Sequence, residues 1–232
     1  MNLAVFDLDG TLADTLGVDH RCFIDAFRLE HGVHCSDDDW STYRHTTDSG
    51  ITPEVLERHF GRLSTTAEVE RHKRRFIELL ETAAGVEPEG FREVAGASDL
   101  LAELGSRPDW QVVIATGSWR ESALLKLRLA GLERFELPLA SADDGEAREE
   151  IVAHGVSLAN GGGPFERTVL IGDKPWDLAA ARQYRFGFVG VASSSRERLE
   201  AAGAEWIFDD WRATARVVAA LERAALPTLD GH

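Results

Sequence analysis

The 232-residue chain predicts a doubly wound α/β core, a parallel sheet with helices on both faces, interrupted by an inserted α-helical domain. Three observations carry this. Short apolar runs rich in β-branched residues recur at 3–6 (LAVF), 112–115 (VVIA), 169–171 (VLI) and 188–191 (FVGV), each bounded by Gly, Asp or Thr. Strands buried on both faces have this composition. Stretches of helical length alternate with these runs, and that alternation implies parallel pairing. Between the first run and the second, from about residue 15 to about residue 92, lies a long stretch with helical periodicity and no convincing strand.

Taken in chain order, the first strand stops at Asp7. In the insertion that follows, Val18, Cys22, Phe23 and Phe27 share one helical face, and Phe76, Leu80 and Ala83 share another. Asp14 and Thr15 are expected to cap the first inserted helix and form its hinge. "TPEV" at 52–55 offers Thr52 as an N-cap with Pro53 at the first helical position, and "AAGVEPEGF" at 83–91 reads as the linker returning to the core. The core resumes with a helix at 97–104, the strand at 112–115 and a helix at 118–130, where Ser118 and Glu121 have capping-box spacing. A short strand at 137–140, weakened by Pro138, precedes a helix at 147–159, and "NGGGP" at 160–164 reads as a connecting loop. The strand at 169–171 leads into a helix at 175–184 opened by Pro175. The strand at 188–191 and helices at 196–202 and 211–224 complete the chain. The domains that result are 1–14 with 93–232 for the α/β core and 15–92 for the helical insertion.

Composition narrows the class of function. Hydrophobic residues make up 44% of the chain, and no apolar run approaches the length of a membrane span, so a soluble protein with a sizeable core is expected and a membrane partner is not. Forty acidic against 25 basic residues give a net charge of −15, which repels polyanions and argues against nucleic acid as a partner. The first apolar residues run straight into an acidic stretch, and Cys22 and Cys35 form no CxxC pair, so a cytoplasmic protein is expected. Monomer and dimer remain equally open.

In parallel α/β sheets ligands bind beyond the carboxyl ends of the strands. Asp7 and Asp9 end the first predicted strand, Thr116 the second, and Asp173 the one at 169–171, with Asp177 one helical turn later. Carboxylates gathered there repel one another unless a positive charge lies between them. A hard divalent cation with oxygen ligands, Mg²⁺, is the expected answer.

These residues carry a family resemblance. "DLDGT" at 7–11, Thr116 in "VVIATGS", a basic residue on a later helix and "GDKPWD" at 172–177 resemble, in order, the four motifs of the haloacid dehalogenase superfamily. The likeness is to phosphoglycolate-phosphatase-like members, whose Rossmann-like core carries a helical C1-type cap after the first motif. It implies a phosphatase acting on a small phosphorylated metabolite through an aspartyl-phosphate. Asp7 would be the nucleophile and Asp9 the group that protonates the leaving oxygen and later deprotonates water. Thr116 would hydrogen-bond a phosphoryl oxygen, with Gly117 allowing close backbone approach. The metal ligands implied are Asp7, Asp9 through its main-chain carbonyl, Asp173 and Asp177. Asp9 weighs against dehalogenation, because the dehalogenases lack an acid two residues after the nucleophile. For the basic residue, Arg148 in "EAREEI" is favoured over Lys174, since a planar guanidinium can bridge phosphate and the Asp7 carboxylate. Two alternatives stay open: a phosphosugar mutase of the same architecture, and a regulatory or binding module without turnover, against which the intact acids argue.

Further candidates lie in the insertion. "YRHTTDSG" at 43–50 could hang over the site, making Arg44, His45 and Asp48 candidates for substrate binding, with a solvated interhelical turn as the equal reading. "HGVHC" at 31–35 lacks the second ligand pair of a zinc site. "RHKRRF" at 71–76 reads as a solvated helix face. Lys73, the insertion's only lysine, sits among charges and not in the apolar pocket a Schiff-base lysine needs, which argues against phosphonate cleavage.

Overall fold

The computed structural model describes residues 1–35, 39–159, 164–192 and 196–224. In chain order the strands are β1 (Asn2–Phe6), β2 (Ala13–Asp14), β3 (Arg92–Glu93), β4 (Trp110–Ala115), β5 (Leu139–Ala140), β6 (Arg167–Gly172), β7 (Gly187–Val191) and β8 (Ile207–Phe208). Six of them form one sheet in the order β5-β4-β1-β6-β7-β8, with every pairing parallel. The predicted α/β core is therefore present. Alternate residues of β1 enter opposite cores, Leu3 and Val5 on one face and Ala4 and Phe6 on the other, all fully buried. This is why the strand reads as an unbroken apolar run and not as an alternating one.

The core helices are α4 (Ala97–Gly105), α5 (Arg120–Leu129), α6 (Arg148–Ala159), α7 (Pro175–Tyr184), α8 (Arg196–Ala201) and α9 (Thr214–Arg223), preceded by α1 (Leu16–Ala26), α2 (Asp48–Phe60) and α3 (Thr66–Val86) in the insertion. β1 pairs with β4 on one side and β6 on the other, with Phe6 opposite Ile114 and Ile171. The chain thus winds in both directions from β1, and a crevice opens at the carboxyl ends of these three strands.

The insertion leaves and rejoins the core side by side, because β2 pairs antiparallel with β3. Helices α1 and α3 pack through Phe23, whose ring meets Phe27 and Phe76 edge-on at 5.3 Å. A full capping box, Thr65 with Glu68, starts α3. Along this helix Arg71, Lys73 and Arg75 are engaged in ion pairs while His72 and Phe76 are buried, so the basic run is one face of an amphipathic helix. Among the described residues no helix is long and apolar enough to cross a membrane.

Several local expectations are corrected. Helix α2 is capped by Thr47, whose hydroxyl accepts the Gly50 N–H at 3.1 Å; Thr52 is buried inside the helix, and Pro53 forfeits only the bond to the Ser49 carbonyl. The returning linker is mostly helical, because α3 runs to Val86 and a 3₁₀ turn follows at Pro88–Phe91. β5 begins only after Pro138, which lacks an N–H but whose carbonyl still accepts from Ile114. Helix α5 starts at Arg120 without a side-chain cap, so Ser118 is not its N-cap. Thr15 occupies the N-cap position of α1 but makes no capping bond. Of "NGGGP", residues 160–163 lie outside the described residues.

Candidate active site

The site begins where β1 ends. The Asp7 N–H continues the sheet ladder to the Ile171 carbonyl at 2.8 Å, which fixes Asp7 at the mouth of the crevice. The chain then turns sharply at Gly10, whose φ of 78° favours glycine. A side chain there would also collide with Asp173, since a Cβ would lie 2.6 Å from its Oδ2. "DLDGT" is therefore a turn that needs its glycine both for backbone conformation and for the approach of the third acid.

Arg148, the first residue of α6 and only 5% exposed, reaches Asp7 from the other side. Its Nη2 donates to Asp7 Oδ1 at 2.5 Å, and its Nε donates to Asp177 Oδ1 at 3.0 Å. Burial opposes the charge of the guanidinium, but Asp177 and Asp7 outweigh it and push its pKa further up, so Arg148 stays protonated. Lys174 pairs instead with its neighbour Asp173.

Asp7, Asp173 and Asp177 are all buried, and each offers a carboxylate oxygen such that the three lie within 4.8 Å of one another. Three hard oxygen donors this close fit a divalent cation such as Mg²⁺. The electrostatics of Asp7 point the same way: burial, followed by the charges of Asp177, Asp173 and Asp9, pushes its pKa up to about 7 despite Arg148. A site that makes its central carboxylate this hard to ionise is short of positive charge. The Asp9 side chain does not join the group, which leaves only its main-chain carbonyl for the ligand role the resemblance implies.

Asp9 faces a second network. Its Oδ1 accepts from the Thr15 hydroxyl at 2.5 Å, and its Oδ2 accepts from the Ser118 hydroxyl at 2.8 Å and from Lys126 Nζ at 2.7 Å. Lys126, fully buried on α5, also donates to Asp19 Oδ1 of α1 and to Ser118 Oγ, each at 2.7 Å. Burial resists ionisation of Asp9, but Lys126 and the hydrogen bonds from Thr15 and Ser118 outweigh it and hold its carboxyl below the usual range. For Asp19 burial wins, and its pKa rises to about 6. The sequence reading found neither Lys126 nor Asp19. Ser122 and Lys126 lie four apart on the buried face of α5, but Arg120, Glu121 and Arg128 share that helix, so the spacing alone does not single Lys126 out.

Above these networks lies a cavity of about 420 Å³. Thr116 lines it, and its Oγ1 accepts the Ser118 N–H at 3.1 Å, so the hydroxyl keeps its own proton to donate. Gly117 lies against the insertion: its carbonyl accepts from Asp48 N at 2.8 Å, and a Cβ there would come within 3.2 Å of the Thr46 carbonyl. Phe23, Trp40, Ile51, Asp19 and Asp48 also line the cavity. Asp48 Oδ2 accepts the Trp119 N–H at 2.9 Å, and burial, reinforced by Asp19, raises the Asp48 pKa well above the ordinary range. Of the substrate-binding candidates in this segment, Asp48 lines the cavity while Arg44 and His45 do not. The backbone of Arg44 is held to Glu54 and Thr47 is held to the Glu146 carbonyl, and with those anchors Thr46 and Asp48 are the residues that border the cavity. Lys73 pairs with Asp143, and its ammonium lies 5.6 Å from the Trp119 ring centroid.

Solved structures share this architecture from end to end. A hydrolase from Pseudomonas syringae superposes with a TM-score of 0.75 at 22% identity, covering 97% of this chain and all of that one. A predicted phosphoglycolate phosphatase from Haemophilus somnus gives 0.67 at 17% identity, covering 93% and 97%. CbbY from Rhodobacter sphaeroides, in complex with phosphate, gives 0.69 at 21% identity, covering 95% and 98%. At these identities the likeness is one of fold. No curated protein matches the chain. The family model for haloacid dehalogenase-like hydrolases matches residues 1–184, the stretch that holds β1, β4, β6 and every acid at their ends, and the chain belongs to that family.

Proposed function

We propose that this protein is a Mg²⁺-dependent phosphatase that hydrolyses a small phosphomonoester through an aspartyl-phosphate on Asp7, with residues 15–92 acting as a cap. The observation that carries the reading is the pairing of two carboxylates in one cavity with opposite surroundings. Asp7 sits among acids against Arg148, and Asp9 sits among hydrogen-bond donors. In this reading one bonds to phosphorus and the other moves protons. The phosphate-bound relative from Rhodobacter and the phosphatase from Haemophilus support phosphate chemistry in this fold.

In this mechanism Arg148 and the Thr116 hydroxyl hold the phosphoryl oxygens, and an Asp7 oxygen forms a bond to phosphorus as the ester P–O bond breaks. The leaving oxygen takes a proton from Asp9. Lys126 keeps Asp9 ionised in the free enzyme, and the incoming phosphate, a like charge, favours its protonation. In the second half Asp9 removes a proton from a water that attacks phosphorus, and Asp7 leaves as a carboxylate. Asp7, the Asp9 carbonyl, Asp173 and Asp177 would hold Mg²⁺, which supplies the positive charge that offsets the transferring phosphoryl group. A cavity of about 420 Å³ lined by both the core and residues 15–92 suits a small molecule.

Phosphate release from a panel of sugar phosphates, amino-alcohol phosphates, phosphoglycolate and p-nitrophenyl phosphate, with and without Mg²⁺, tests this directly. Metal-dependent release that Asp7→Asn abolishes is the expected result. No release across the panel from folded protein would discard the phosphatase reading in favour of a mutase or a binding module.

A further inference from the structure

We propose that Lys126 is the positioning residue for the proton-transferring carboxylate of Asp9, and that it does so as the middle of a link running from Asp9 to Asp19 on helix α1. The inference rests on the reading of Asp9 as acid and base given above.

The geometry is closed on every side. A lysine ammonium has three N–H donors, and here each has one acceptor at 2.7 Å: Asp9 Oδ2, Asp19 Oδ1 and Ser118 Oγ. The Ser118 hydroxyl donates to Asp9 Oδ2, so Lys126, Ser118 and Asp9 form a ring of three hydrogen bonds. With Thr15 on Oδ1, both oxygens of Asp9 are engaged and rotation about its carboxyl is prevented. Two of these holds, Lys126 and Ser118, come from the core, and through Asp19 Lys126 is shared with the insertion 107 residues away in sequence. The carboxylate is therefore fully braced only while Asp19 of α1 stays within reach of Lys126.

A tie between two helices does not need this residue. Burying a lysine completely is expensive, and an apolar side chain of similar length could join α1 to α5 at lower cost. What an apolar residue could not do is hold a carboxylate oxygen in one orientation at the edge of the cavity. The side chain also ends on Asp9 and not at the periphery of the interface, where an ordinary tie between packed helices would sit.

Leaving-group dependence separates positioning from a general structural role. Protonation of the leaving oxygen matters greatly for an alkyl phosphomonoester and little for p-nitrophenyl phosphate, whose phenolate departs unaided. The ratio kcat/KM reports transfer to Asp7 and excludes the later water step. Lys126→Met should lower kcat/KM about 10²-fold for the alkyl ester and only a few-fold for the aryl ester, the range expected when a general acid is misplaced. Asp19→Asn, which leaves the buried ammonium in place, should show the same split at about tenfold and carries the test if Lys126→Met does not fold. Equal losses on both esters, or none, would overturn the proposal. Asp9→Asn is measured alongside: if it shows the split and the other variants do not, the role of Lys126 falls while that of Asp9 stands. If Asp9→Asn shows no split, the reading of Asp9 fails and this inference fails with it.

Discussion

The guanidinium of Arg148 lies 2.5 Å from Asp7 Oδ1, and the same nitrogen lies 2.7 Å from Asp177 Oδ1. One buried cation therefore sets the position of the acid read as the nucleophile and of an acid read as a metal ligand. Lys174, by contrast, pairs with Asp173.

From that contrast follows an ordering of the two basic residues. Arg148→Ala removes a donor aimed at the reacting carboxylate and leaves two buried acids facing each other, so turnover should fall by about 10²- to 10³-fold. Lys174→Ala should cost about tenfold or less, mostly in KM. Steady-state kinetics on the preferred ester, with folding checked by circular dichroism, decides between them; a larger loss at Lys174 would reverse the assignment.

Metal binding should be linked to protons. Asp7 has its pKa pushed up to about 7 by burial and by its acidic neighbours, whereas a metal ligand must be ionised. Below pH 7 the cation has to displace a proton, so Mg²⁺ affinity should fall by up to about tenfold per pH unit, and above pH 7 it should level off. Calorimetric titration in two buffers of different ionisation enthalpy would reveal the released proton. Asp7→Asn should abolish that release, and a pH-independent affinity would contradict the site.

The strand ends were legible because parallel strands buried on both faces spell themselves as unbroken apolar runs, after which Asp7, Thr116 and Asp173 stand out. Arg148 was legible only with a family motif in hand, since by itself "EAREEI" is an ordinary helix start. The bracing of Asp9 was not legible. Ser118 has the spacing of a cap, and Lys126 is one of several basic residues on its helix. Their roles arise only when the fold brings Lys126 and Ser118 up to Asp9 and Asp19, contacts that no local pattern encodes. Thr15 shows the same limit: the position of an N-cap was right, but its hydroxyl is spent on Asp9. Arg44 and His45 were chosen for their chemistry, yet which residues of a turn border a cavity depends on its anchors, here Glu54 and the Glu146 carbonyl.

Substrate preference should follow the acids that line the cavity beyond the metal-ligand group. Asp19 and Asp48 stand there beside Phe23, Trp40 and Ile51. Acids and aromatic faces welcome hydroxyl or ammonium groups and repel a carboxylate. Sugar or amino-alcohol phosphates should therefore exceed phosphoglycolate in kcat/KM by about tenfold or more, a difference of roughly 1.4 kcal/mol. Asp19→Asn, at the acid whose pKa lies near 6, should narrow the gap. A clear preference for phosphoglycolate would show that neither acid meets the leaving group.

The last prediction concerns stability and His72. This residue is fully buried in the insertion, with its ring 3.8 Å from that of Phe27, and among the described residues neither ring nitrogen has a hydrogen-bond partner. Burial, with a smaller contribution from His31, lowers its pKa to about 3 against an ordinary 6.5. Between those values the unfolded chain binds the proton and the folded chain does not, so folding stability is fully present above about pH 6.5 and drains away as the pH falls. Each pH unit in that window can remove up to about 1.4 kcal/mol. His72→Phe keeps an aromatic ring among Phe23, Phe27 and Phe76 but cannot take up a proton. Urea unfolding at pH 8 and pH 5 should show the variant losing about 1–2 kcal/mol less than the wild type on acidification. Equal losses in the two proteins would mean that His72 finds a proton acceptor in the folded state, and that the acid sensitivity of the fold lies elsewhere.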